Sequence, residues 1–156
     1  MRKYANAFLY LLSVVAANIL VDTLGIISFG WFVFPAGTIL VGFVFTMRDV
    51  VQRDFGKIHC LWWMFAACLV TATFSQSLAL ASLLAFFVSE AIDWAVYTYS
   101  GGSFMRRVII SNVVSTPIDS AVFVMLAFGP TAWLAIIGQS VVKALSSIAL
   151  AWAVRK

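Results

Sequence analysis

Four ionisable residues lie inside stretches that are otherwise almost entirely apolar: Glu90, Asp93, Asp119 and Lys143. A charge within a membrane is costly, so such residues usually pair with one another or mark the path of a substrate, an ion or a proton. A carboxylate accepts hydrogen bonds from ligand N–H groups, whereas the ammonium of Lys143 donates them. Three acids and one base leave negative charge unpaired. This imbalance predicts a donor-rich ligand, a proton or a cation as the missing partner.

Helix geometry places three of these residues at a similar depth. With a rise of about 1.5 Å per residue, Asp119 lies about 17 Å from the cytoplasmic start of its predicted helix, and Glu90 and Lys143 lie about 18 Å from the outer ends of theirs. We therefore predict that Asp119 and Lys143 are neighbours, either as a structural ion pair or as part of a site. Glu90, or Asp93 three residues later on the same face, would read ligand donors or carry a proton.

Neutral polar side chains extend the same helix faces. Asn112 precedes Asp119 by seven residues and Gln139 precedes Lys143 by four, so the members of each pair share a face. Asn18 adds a carboxamide to the first predicted helix. The candidate substrate-binding residues are Asn18, Glu90, Asp93, Asn112, Asp119, Gln139 and Lys143.

No spacing typical of a metal site or of catalytic residues occurs in the sequence. The chain has one histidine, His59, and two cysteines, Cys60 and Cys68, that are eight residues apart. This spacing forms no CxxC or His/Cys ligand pattern. We also find no nucleophile–base pair and no phosphate-binding glycine loop. The sequence therefore predicts neither an enzyme nor a bound cofactor or metal, and any use of ATP would belong to a partner.

The composition is that of a membrane protein. Of 156 residues, 63% are apolar and 10% are charged, against about 45–50% and about 25% in soluble domains. The net charge is +4, but no cluster of Lys and Arg is present to bind nucleic acid. We therefore predict a polytopic protein whose main partner is the lipid bilayer.

The uncharged runs predict an all-α fold of six transmembrane helices in one domain over 1–156. A span needs about 20 mostly apolar residues, and six spans take about 120 residues, which leaves no room for a soluble domain. Polar residues at 75–77 and the dipeptide Gly129-Pro130 separate neighbouring spans. The predicted spans are 5–21, 31–47, 58–74, 78–97, 108–128 and 131–154.

The distribution of basic residues predicts that both termini are cytoplasmic. With six spans, nine of the ten Lys and Arg residues fall on the side of the N-terminus and none on the other side. Cytoplasmic loops carry such an excess of positive charge, so we expect a multi-pass protein of the inner (plasma) membrane. The nine residues are Arg2, Lys3, Arg48, Arg53, Lys57, Arg106, Arg107, Arg155 and Lys156.

Two stretches resemble the queuosine-precursor transporter family, which is also described as vitamin-uptake-transporter-like. The segment from Phe34 to Lys57 is similar to the family's second span and the loop after it. The fifth predicted span, from Ser111, is similar to an Asn-x-x-Ser…Asp-Ser/Thr-x-x-Phe segment, and Lys143 falls where the family has a lysine. The residues that match the first motif are Asp49, Gln52, Arg53, Phe55 and Gly56.

This resemblance implies that the chain imports 7-deazaguanine-type precursors of queuosine. It also implies a compact bundle like the substrate-binding subunits of energy-coupling-factor vitamin transporters. Carboxylates, carboxamides and aromatic rings all suit a purine-like base. A carboxylate accepts hydrogen bonds from its N–H groups, and a carboxamide pairs with an edge that has both a donor and an acceptor. An aromatic ring stacks on the ring of the base. The alternative is a substrate-binding subunit for another vitamin that works with a separate energising module. The sequence is compatible with an energising partner protein and with a homo-oligomer.

Overall fold

The computed structural model describes residues 2–29, 32–74, 79–128 and 133–154. These residues form six helices and one two-stranded hairpin. In chain order the elements are α1 (Arg2–Leu24), β1 (Ile26–Phe29), β2 (Phe32–Pro35), α2 (Thr38–Phe55), α3 (Lys57–Phe74), α4 (Ala79–Tyr99), α5 (Phe104–Phe128) and α6 (Trp133–Val154). The predicted turns at 75–77 and at Gly129-Pro130, and the basic residues Arg155 and Lys156, lie outside the described residues.

Helix α2 departs most from the sequence prediction. It begins at Thr38 and ends at Phe55, whereas the predicted second span covered 31–47. The prediction ended at the first charge, Arg48, but the helix continues to a glycine stop. The N–H of Gly56 bonds the carbonyl of Gln52 at 2.9 Å, and Gly56 has a φ of +83°, a conformation that glycine adopts without steric cost.

A short two-stranded hairpin stands where the second span was predicted to begin, in a fold that is otherwise all-helical as predicted. Strands β1 and β2 pair antiparallel, with Ile26 opposite Pro35 and Ile27 opposite Phe34. The segment is rich in Ile, Val and Phe, which favour strands. Gly25, with a φ of +62°, lets the chain turn out of α1 into the hairpin. Strand β2 packs against α6.

The six described helices pack as a ring in which α2 contacts every other helix. Around the ring the order is α1, α2, α6, α5, α4 and α3, which closes again on α1. Helix α2 also touches α3, α4 and α5. This central position explains why α2 buries polar residues such as Thr46, Arg48 and Asp49: they face other helices rather than the surroundings.

Several polar and charged side chains lie inside the bundle beside the apolar core, and many large apolar side chains lie on its outside. Arg48, Glu90 and Lys143 are buried, while Phe8 and Trp62 are well exposed, an arrangement that suits lipid as the solvent. Among the described residues, three helical segments are long and apolar enough to cross a membrane, and a fourth apolar helix is shorter. The long segments are Arg2–Leu24, Phe104–Leu126 and Trp133–Ala153, and the shorter one is Lys57–Thr73.

Candidate functional site

The buried charges of the described residues gather in two clusters. We call the first the arginine cluster, comprising Tyr10, Arg48, Asp49, Gln52, Glu90 and Asp93. We call the second the lysine cluster, comprising Ser89, Asp119, Ser120, Gln139 and Lys143. The two clusters meet at α4, where Ser89 and Glu90 are consecutive residues.

In the arginine cluster, one guanidinium serves three carboxylates. Arg48 Nη1 lies 2.9 Å from Asp49 Oδ1, Nε lies 3.5 Å from Glu90 Oε2, and Nη2 contacts Asp93 Oδ2. All four side chains are fully buried. The planar fork of an arginine suits several carboxylates at once, so Arg48 ties α2 to α4.

The contacts of Arg48 correct the sequence-based picture of the charges. Arg48 was predicted as a cytoplasmic loop charge, yet it is buried within α2. The described interior therefore holds a second base beside Lys143. It also holds a fourth acid, Asp49, which entered the sequence analysis only through the family motif. The reason is that α2 begins and ends later in the chain than predicted, so it carries Arg48 and Asp49 into the bundle instead of releasing them into a loop.

Uncharged partners complete the arginine cluster. Gln52 Oε1 accepts a hydrogen bond from Arg48 Nη1 at 3.0 Å, and Gln52 Nε2 donates to Thr98 Oγ1 at 2.6 Å. The Tyr10 hydroxyl, from α1, donates to Glu90 Oε2 at 3.2 Å. These bonds hold α1, α2 and α4 in one network.

Asn112 connects α5 to the arginine cluster. Its Nδ2 donates to the Val108 carbonyl at 2.8 Å and reaches Asp49 Oδ2 at 3.5 Å. Its Oδ1 is buried and has no hydrogen-bond partner among the described residues. The predicted stripe of Asn112 and Asp119 on α5 therefore divides between the two clusters.

The lysine cluster confirms the predicted contact between Asp119 and Lys143. Lys143 Nζ contacts Asp119 Oδ2, and it donates to Ser120 Oγ at 3.1 Å and to Gln139 Oε1 at 3.2 Å. Ser89, from α4, donates to Asp119 Oδ1 at 2.8 Å. The pair thus joins α4, α5 and α6, and both charges are neutralised locally.

A cavity of about 100 Å³ opens beside the lysine cluster. All six helices and strand β2 contribute to its wall, and the volume has room for several water molecules. Two aromatic rings line it, those of Phe86 and Phe123. The polar lining residues are Asn18, Asp22, Thr38, Thr71, Asp119, Gln139 and Lys143.

Two groups on this wall lack a hydrogen-bond partner in the described part of the chain. They are Gln139 Nε2 and Thr71 Oγ1, and both are buried. Buried polar atoms are nearly always bonded, so each exception needs an explanation. Gln139 and Thr71 both line the cavity, but the two unpaired atoms themselves are enclosed in its wall.

Four of the predicted site residues line the cavity: Asn18, Asp119, Gln139 and Lys143. Asn18 also donates to the Val14 carbonyl at 2.9 Å, which holds its Nδ2 against its own helix. The other three, Glu90, Asp93 and Asn112, belong to the contacts around Arg48, and a substrate role for them stays a prediction.

Four of the five residues that match the first motif have distinct positions. Asp49 and Gln52 belong to the arginine cluster. The Arg53 guanidinium lies over the Phe104 ring, 4.7 Å from its centroid, and Gly56 ends α2. In the structure these four residues lie at the C-terminal end of α2. They stabilise contacts within the bundle and do not line the cavity.

The predicted set of site residues leaves out several lining residues, although the sequence carries a signal for some of them. Asp22 follows Asn18 by four residues and so shares its face of α1. Phe123 is the phenylalanine of the Asp-Ser/Thr-x-x-Phe segment. Phe86 and Thr71 carry no such signal, because an apolar helix shows many aromatic and hydroxyl residues that serve only packing. Among the described residues, no three His, Cys, Asp or Glu side chains are placed to hold a metal ion.

Comparison with protein families gives one finding. A family model described as "Putative vitamin uptake transporter" matches residues 63–155, which include the lysine cluster and Glu90 and Asp93 of the arginine cluster. The match does not include α1, the hairpin or α2. No curated protein and no solved structure matches the chain.

Proposed function

This chain belongs to the vitamin uptake transporter family, and on that premise we propose that it imports a 7-deazaguanine-type base, a precursor of queuosine, into the cytoplasm. The family and the apolar helices make it a membrane transporter, which implies a small-molecule substrate and a lipid bilayer. The choice of base is our proposal. It rests on the sequence resemblance and on the polar groups of the cavity.

The observation that carries the proposal is the pairing of donors and acceptors on one cavity wall. Gln139 and Lys143 carry donor groups and Asp119 carries a carboxylate on this wall. A ligand would replace the contacts that Lys143 makes with Asp119, Ser120 and Gln139. A guanine-like base presents two N–H donors on one edge with a carbonyl acceptor beside them. Asp119 can accept both N–H groups with charge-assisted bonds, while Gln139 Nε2 or Lys143 donates to the carbonyl.

The apolar part of the wall suits the flat ring of such a base. Phe86 and Phe123 line the cavity, and aromatic faces stack on heterocycles. Asp22, at the end of α1, is exposed and also lines the cavity. In the predicted orientation this end of α1 faces the outside, so Asp22 would meet the substrate first.

The proposal places the substrate among six spans with both termini in the cytoplasm. The arrangement is supported by six described helices of 18 to 25 residues and by the basic residues of the predicted inner connections. Because Arg48 is buried in the bundle, it no longer belongs to the nine basic residues that were predicted to lie on the side of the N-terminus. The remaining residues still lie on the N-terminal side of the predicted topology.

Binding to the purified protein tests the ligand assignment. We expect a Gln139→Leu variant to bind radiolabelled 7-deazaguanine about 10-fold more weakly or worse, because a lost hydrogen bond to a buried partner costs about 1–3 kcal/mol. Ser140→Ala is the matched control, since the Ser140 hydroxyl only bonds the Ile136 carbonyl of its own helix. Equal affinity in all three proteins would remove Gln139 from the site.

A further inference from the structure

We propose that the arginine cluster is a proton site in which Glu90 takes up and releases the proton that drives import. This inference rests on the proposed function and adds an energy source to it. The proton would enter on the Glu90 carboxylate from outside and leave to the cytoplasm, with the charge of Arg48 unchanged.

The charge balance of the cluster calls for a bound proton. Asp49, Glu90 and Asp93 face Arg48, and all four side chains are fully buried. Arg107 also attracts Asp49 electrostatically, which brings the count to two cations against three carboxylates. A buried carboxylate with no cation of its own is neutralised by taking up a proton.

Contacts single out Glu90 as the acid that carries it. Asp49 lies 2.9 Å from Arg48 and also meets Asn112, and Asp93 contacts the guanidinium directly. Glu90 is held least, at 3.5 Å from Arg48 Nε. Each of the three carboxyl groups has one buried oxygen without a hydrogen-bond partner among the described residues, so the longer distance to the guanidinium is what distinguishes Glu90.

Tyr10 can stabilise both protonation states of Glu90. Its hydroxyl lies 3.2 Å from Glu90 Oε2. A hydroxyl donates to a carboxylate and accepts from a carboxylic acid, so the same contact survives the transfer of a proton. A side chain able only to donate would favour the charged form and oppose uptake.

Glu90 is also placed to sense the substrate. Its chain neighbour Ser89 donates to Asp119 at 2.8 Å, and Asp119 acts electrostatically on Glu90. When substrate N–H groups or a displaced Lys143 change the charge around Asp119, the proton affinity of Glu90 changes with it. By linkage, protonation of Glu90 then changes substrate affinity by the same factor.

The groups that act on Glu90 come from several helices. Asp93 lies one turn away on α4 itself, and Lys143 of α6 acts through Asp119. The titratable and charged groups on the other helices are Tyr10 on α1, Arg48 and Asp49 on α2, Cys60 and Cys68 on α3, and Asp119 on α5.

Infrared spectroscopy tests the proton without any substrate. Purified protein near neutral pH should show the C=O stretch of a protonated carboxylic acid that disappears at high pH. We expect Glu90→Gln to lose this band and Tyr10→Phe to shift its frequency. Asp54→Asn, which replaces an acid outside both clusters, should keep it. A spectrum with only ionised carboxylates, or a band unchanged in Glu90→Gln, would overturn the inference.

Proteoliposomes test the coupling. An inward proton gradient should raise uptake of labelled 7-deazaguanine several-fold in the unmodified protein. Glu90→Gln, which mimics the protonated acid, should still exchange substrate across the membrane but should not accumulate it. If the unmodified protein transports the base equally well without a gradient, the proton site is wrong and the proposed function stands. If the infrared band is present but no 7-deazaguanine binds, the proposed substrate is wrong and the proton site stands.

Discussion

Asp119 and Lys143 neutralise each other's charge in the interior of the bundle. Each is buried, each has its counter-ion, and each has further polar partners in Ser89, Ser120 and Gln139. A pair that can exchange its partners for those of a ligand is held ready for binding. The pair therefore connects α4, α5 and α6 and also lines the cavity.

Removing one member of this pair should be more harmful than removing both. Asp119→Ala and Lys143→Ala each leave a buried charge without its partner, which costs about 3–5 kcal/mol. We expect both single variants to lose transport and to show lower thermal stability in detergent. The double variant should recover its level in the membrane but not transport. Two single variants with normal stability and transport would contradict the account.

The sequence predicted this pair but not the contacts of Arg48. Depth alone placed Asp119 and Lys143 at one level, because a helix advances by a fixed distance per residue. Arg48 was missed because a charge after an apolar run was taken as the end of a span. The glycine at position 56 was the better stop signal. Which carboxylate faces which base depends on helix rotation in three dimensions, and the sequence does not supply it.

At the scale of elements, the close approach of α2 and α6 positions the lysine cluster. A Cβ on Gly42 would lie 2.0 Å from Ser146 Oγ and 2.2 Å from the Lys143 carbonyl. Only glycine therefore allows this distance between the two helices, as small residues do at other membrane helix contacts. The backbone of Lys143 is fixed by this contact.

Gly42→Ala should separate α2 from α6 and disturb the cavity. Overpacking of this kind costs about 1–3 kcal/mol, so we expect a lower melting temperature and weaker binding of 7-deazaguanine. Gly101→Ala is the matched control, since a Cβ there meets no atom within 4 Å and Gly101 has no positive φ. Equal melting temperatures for the two variants would show that α2 and α6 are not packed this closely.

The hairpin marks where sequence patterns fail at this scale. A run of aromatic and β-branched residues at the start of the predicted second span is equally compatible with a buried helix and with a strand. The structure forms strands β1 and β2 there, with Pro35 on the cavity wall. The positions of the other five helices followed from runs of residues with few or no charges. These runs are little longer than one helix or one pair of helices, so they fix the helix positions closely.

At the scale of the whole molecule, the predicted topology can be tested by labelling. In a variant with Cys60 and Cys68 replaced by alanine, an introduced Ser77→Cys should react with an impermeant thiol reagent from outside. Ser103→Cys, in the connection between α4 and α5, should react only after permeabilisation, because Arg106 and Arg107 predict that this connection is cytoplasmic. The opposite pattern would reverse the orientation, and equal labelling from one side would contradict six spans.

The proposed function requires that this chain, on its own, transports a purine-like base. The most direct measurement is counterflow in proteoliposomes that contain only the purified protein, loaded with unlabelled 7-deazaguanine and supplied with the labelled base outside. We predict rapid, saturable entry of label that guanine-like bases inhibit and that Lys143→Ala abolishes. Entry no faster than in protein-free liposomes, with the protein folded and inserted, would contradict the central claim.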